Sequence, residues 1–156
     1  MDTRWLDDEQ RAAWVKLVAV VELLPGVLET QLRRDSGLTH FEYFVLAMLS
    51  EAPDRTLRMT SLADRVNATL SRLSHVVQRL EARELVARLP CPEDGRATNA
   101  HLTDMGWSTI SAAAPGHVAT VRDYVIDQLT ATQVRQLDHI MTALLTRLDP
   151  DNHMML

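Results

Sequence analysis

Residues Thr60 to Leu102 constrain the fold more tightly than any other stretch of the chain. Thr60 is expected to cap a short helix that carries Leu62, Ala63 and Val66, and Asn67-Ala68-Thr69 makes a tight polar turn after it. From about Leu70 to Glu84, Leu70, Leu73, Val76, Val77 and Leu80 recur at helical spacing and predict an inward face. Ser71, Arg72, Ser74, His75, Gln78, Arg79 and Arg83 fall on the outward face. Leu85 to Leu89 is short and apolar enough for a strand, Pro90 to Gly95 is a dense turn signal, and Thr98 to Leu102 can return as a second strand. Helix, turn, helix and hairpin in that order predict a winged helix-turn-helix.

Charge follows the same boundaries. From Arg55 to Arg96, eight arginines stand against five acids and leave +3. The rest of the chain has eight basic residues against sixteen acids and carries −8. No acid lies between Asp64 and Glu81. That gap matters because a carboxylate facing a phosphate would be repelled. The outward helix chemistry suits a major groove: Arg72 or Arg79 can fork onto guanine, and Gln78 can pair with adenine. Thr69, Ser71, Ser74 and His75 are short polar groups suited to phosphates or bases. Arg96, beside Asp94 at the hairpin tip, is placed to enter a minor groove, while Asp94 can hold the guanidinium or stabilise the turn.

Helical patterns frame this block on both sides. Asp7 to about Arg34 reads as a long helix, with Pro25-Gly26 expected to kink or interrupt it. Thr39 and Glu42 form a capping box for a second helix that ends near Glu51. Thr103 is expected to cap a helix carrying Trp107, Ile110, Val118, Val121, Tyr124, Val125 and Leu129, which Pro115-Gly116 would interrupt. Thr130 and Gln133 form another capping box, after which Val134, Leu137, Met141, Leu144 and Leu148 alternate at three and four. The expected fold is therefore mainly α (α+β). Residues 1–37 and 104–156 form a helical dimerisation region, and residues 38–103 the DNA-binding domain.

Together, "LTHFEYFVLAMLSEAP", the run "SRLSHVVQRLEARELV" through "DGR" to "LTDMG", and the flanking helices resemble the MarR (multiple-antibiotic-resistance regulator) family of transcriptional regulators. The resemblance covers nearly the whole chain. It implies a homodimer whose first and last helices interlock, with two winged domains reading half-sites of a pseudo-palindrome. It also implies that the helix with Ser71, Arg72, Ser74, His75 and Arg79 is the recognition helix, and that Arg96 is the wing arginine with Asp94 as its partner. Two departures stand out: Ala97 after the arginine, and Glu84 where many such regulators have glycine. A small aromatic or phenolic effector is a further implication, with Trp14, His40, Tyr43, Phe44 and Arg65 as candidate contacts.

Other functions are weaker. No Gly-rich phosphate loop, G-x-S-x-G or H-E-x-x-H pattern exists, so an enzyme is not expected. No cofactor is expected. His40, Glu42 and His117 lack close ligand spacing, so no metal is expected either. The single cysteine, Cys91, cannot form an internal disulfide and reads as a structural wing residue rather than a redox sensor. No apolar run is long enough to span a bilayer, and the expected location is the cytoplasm. The alternative reading is a winged-helix module that binds a protein partner without specific DNA binding.

Overall fold

The computed structural model describes residues 2–155. Among these residues six α-helices and three strands, besides two short 3-10 turns, follow in order: α1 (Asp8–Ser36), α2 (His40–Glu51), β1 (Thr56–Arg58), α3 (Met59–Arg65), α4 (Leu70–Ala82), β2 (Val86–Cys91), β3 (Asp94–Leu102), α5 (Asp104–Tyr124) and α6 (Ala131–Leu148). The fold is mainly helical with one small antiparallel sheet, ordered β1-β3-β2. It is a winged helix-turn-helix between long terminal helices, as expected.

Local chemistry sets most boundaries. Asp7 caps α1 by accepting from the Gln10 N–H, and Gln10 answers with its side chain. Thr39 with Glu42 and Thr130 with Gln133 do the same for α2 and α6. Gly37 ends α1 with φ 66°, a left-handed geometry that glycine adopts without strain. Thr69 caps α4 through the Arg72 N–H, and Thr103 caps α5 through the Gly106 N–H.

One core holds the winged part together. Leu73, Val76, Val77 and Leu80 of α4 pack with Val45, Leu46 and Leu49 of α2, Leu62 of α3, and Val86, Ala100 and Leu102 of the sheet. Leu49, Leu62, Leu73 and Leu80 are fully buried, so truncating any one to Ala should cost about 2–5 kcal/mol. Gly106 joins α5 to this core. A Cβ there would stand 2.1 Å from the Leu85 carbonyl oxygen, so no larger residue fits.

Several expectations need correction. Pro25 and Pro115 lie inside unbroken helices. A proline removes one backbone hydrogen bond. In helices of 29 and 21 residues, packed against each other, the remaining bonds carry the turn through. Thr60 does not cap α3. That helix starts at Met59, after an Arg58 N-cap that makes no side-chain bond. Pro90 and Cys91 extend β2, leaving only Pro92-Glu93 as the turn, with an irregular register at Pro90/Cys91. Sequence reasoning missed β1. Its three residues pair with β3, Thr56 opposite His101, and so short a strand has no readable alternation. Val125 and Leu129 fall beyond the end of α5. Leu70 is not inward; it is 48% exposed. It continues the apolar stripe of α4, but the first turn of the helix stands clear of the core.

The terminal helices are unlike the core. No residue of α6 is buried. Trp14, Val15, Val18 and Val21 of α1 and Ile140, Leu144 and Leu148 of α6 are large apolar residues left exposed.

Candidate nucleic-acid interface

The surface of α4 and the hairpin is built from short-range caps and two arginine anchors. Thr69, Ser71, Arg72, His75, Gln78 and Arg79 are all exposed along one arc of α4. Ser74 is half-buried. Its hydroxyl and carbonyl oxygens accept from the Arg88 guanidinium at 3.2 and 2.7 Å. Arg88 also meets Glu81 at 2.8 Å, so one β2 arginine ties the wing to α4. Ser74 is thus already engaged inside the fold.

Two other arginines of α4 lean toward α2. The Arg72 guanidinium lies 4.1 Å above the Phe41 ring, a cation–π contact. Arg79 lies 3.7 Å from Glu42, whose other oxygen is 3.7 Å from Arg83. Glu42 is buried and also accepts from the Thr39 N–H, so α2 positions the basic face of α4 through one carboxylate.

The wing carries Arg96, which makes no ion pair among the described residues. Asp94 Oδ1 accepts from the Arg96 backbone N–H at 3.1 Å. Asp94 therefore stabilises the turn and does not hold the guanidinium. A groove of about 430 Å³ separates α4 from the wing, with Leu70, Arg58, Arg88, Arg96 and Thr98 among its walls.

Arg58 donates to Cys91 Sγ at 3.5 Å near the tip of the hairpin. That hydrogen bond, with backbone donors from Glu93 and Asp94, holds the thiol below its usual pKa. Arg58 and Cys91 are 33 residues apart, so nothing local in the sequence announces the contact.

The candidate effector residues divide. Tyr43 and His117 rings lie 4.3 Å apart, and His40 stacks on His117 at 6.4 Å. Burial pulls the pKa of both histidines down, and the charge of His40 lowers His117 further. Phe44 is half-buried against the core. Trp14 is not part of this group. The structure places Glu29 against the His40 N–H, and Trp14 lies about 22 Å back along the same helix. Arg65 ends α3 and takes no part in the histidine cluster. Glu42 turns to the arginines rather than the histidines. Among the described residues no three His, Cys, Asp or Glu side chains come together as a metal site.

A winged helix-turn-helix with an arginine-bearing, carboxylate-free helix face and an arginine-tipped wing defines the class of DNA-binding transcriptional regulators. The chain matches the MarR family over residues 38–98. It is 43% identical to Sco3205 of Streptomyces coelicolor, a MarR family transcriptional regulator solved in complex with DNA, with a TM-score of 0.91 over 96% of this chain and 93% of that one. AbsC, a MarR family regulator of the same organism, is 38% identical with a TM-score of 0.88, over 94% of this chain and 98% of that one. The HTH-type transcriptional regulator MhqR of Bacillus subtilis is 29% identical over 67% of this chain and 70% of its own. The protein belongs to the MarR family, a family of transcriptional regulators and not of enzymes. Among the described residues no helix is long and apolar enough to cross a membrane.

Proposed function

We propose that the protein is a cytoplasmic, homodimeric repressor that binds a pseudo-palindromic operator. Each α4 enters the major groove through Thr69, Ser71, Arg72, His75, Gln78 and Arg79, and each wing places Arg96 in the adjacent minor groove. Ser74 and Asp94 support that surface from within, Ser74 through Arg88 and Asp94 through the turn. The observation that carries this reading is the exposed arc of α4, which has no carboxylate between Thr69 and Leu80 in a chain of net charge −5. The DNA complex of Sco3205 supports it, as does the HTH-type transcriptional repressor MdtR of Bacillus subtilis, 28% identical over 83% of this chain and 81% of its own.

The exposed apolar stripe of α1 and the unburied α6 support a second copy as their cover, because monomers rarely leave so much apolar surface contiguous. In this reading a small aromatic or phenolic effector would stack on the His40, Tyr43 and His117 rings and favour a spacing of the two α4 helices that no longer matches the half-sites. No catalytic activity is proposed.

A mobility shift on DNA upstream of the protein's own gene, at stated salt, tests the operator. Preference over random DNA of about 10³ supports specific recognition, and equal binding to both overturns it. Sedimentation of the same sample should give twice the chain mass of 17.6 kDa.

A further inference from the structure

We propose that Leu70 reads the C5-methyl group of a thymine, one in each operator half-site. This rests on the operator reading above and adds a specificity-determining residue to it. Leu70 is the first residue of α4 and the only large hydrophobic side chain of that helix left exposed. It stands in the groove between α4 and the wing, whose walls also carry Arg58, Arg88, Asp94, Arg96 and Thr98.

Two features set it apart from an ordinary surface leucine. The first is position. The N-terminal residues of a recognition helix are the ones that reach base edges, and Thr69 fixes this end by capping the Arg72 N–H. The second is its surroundings. An exposed apolar side chain in a groove otherwise walled largely by polar and charged groups is costly to hydrate and gains nothing from phosphates. The floor of the major groove offers it one apolar partner, the thymine methyl. Arg88 stays tied to Ser74 and Glu81, Arg96 lies out on the wing, and the leucine settles on a base between them. Such a contact tells thymine from cytosine, adenine and guanine without any hydrogen bond.

The test isolates the methyl group. The preferred sequence is first selected from a random pool with the wild-type chain. Each thymine is then replaced singly by uracil, which keeps every hydrogen-bonding atom and loses only the methyl. One position per half-site should weaken wild-type binding about fourfold. Leu70→Ala should weaken binding to the thymine site by a similar factor and become indifferent to uracil there. Leu70→Met, which keeps an apolar tip, should retain the discrimination. Sensitivity to uracil that persists in Leu70→Ala, or no sensitive position at all, overturns the role of Leu70 while leaving the operator reading intact. A wild-type chain that selects no sequence overturns the operator reading, and the role of Leu70 with it.

Discussion

The Glu42 carboxylate of α2 lies 3.7 Å from the Arg79 guanidinium of α4, and the acid is buried while the arginine stays largely exposed. The same carboxylate closes the capping box of α2 and faces Arg83. It is thus shared between the start of one helix and the basic face of another. Glu42→Ala should remove the cap and leave two arginines without their counter-charge. The expected loss is about 1–3 kcal/mol in urea unfolding. Glu42→Gln keeps an acceptor for the Thr39 N–H and should lose less. Equal losses in the two variants would mean that the charge, and not the cap, dominates.

The wing arginine gives a prediction in salt. Arg96 has no ion pair among the described residues, and its backbone is held by Asp94. Arg96→Ala should leave the fold unchanged, weaken DNA binding, and reduce the slope of log affinity against log salt by about one per wing. Asp94→Ala should loosen the turn and weaken binding without changing that slope.

His40 and His117 give a pH dependence. Burial lowers both below the ordinary value of 6.5, so the unfolded chain takes up protons before the folded one does. Stability is then fully present above about pH 7 and declines as pH falls below 6.5 toward the depressed folded values. Asp35, held at about 2 chiefly by Arg34 and also by Gln31, adds its own loss only further down, as pH falls from 3.8 toward 2. Thermal unfolding followed between pH 7.5 and 5 should show the first decline. His117→Gln should flatten it. A midpoint that stays level across this range in the wild type would remove the histidines from the account.

Glu84 sits at φ 59°, where a side chain strains the backbone and glycine does not. Its N–H donates to the Glu81 carbonyl, and its own carbonyl accepts from Thr103 Oγ1. Glu84→Gly should therefore stabilise the protein by about 1 kcal/mol, read as a higher urea midpoint at unchanged slope.

Gly106→Ala should do the opposite. Its Cβ would fall 2.1 Å from the Leu85 oxygen and 2.6 Å from Leu102 Cδ1. The expected cost is about 3 kcal/mol or more, or insoluble protein.

The sequence carries the order of elements because that order rests on local rules. Capping boxes at Thr39 and Thr130 and the period of Leu73, Val76, Val77 and Leu80 are visible within a few residues. What it hides is set by partners far along the chain. Leu70 and Leu73 look alike in a periodic pattern, and only the edge of the core separates them. Ser74 looks like an outward donor until Arg88 arrives from β2. Tyr43 and His117 are 74 positions apart and meet only because α2 packs on α5. The prolines mislead for the same reason: their local penalty is real, and helix packing outweighs it.

Gly106 has a mechanical consequence. It seats α5 directly on the backbone that opens β2, so the hairpin and the 21-residue helix cannot slide past each other there. The helix is about 31 Å long and acts as a lever arm with its short end at the hairpin. A tilt of about 5° carries the far end by about 3 Å, close to the rise of one base pair. Any tilt of α5 at that contact is therefore passed to the backbone that opens β2.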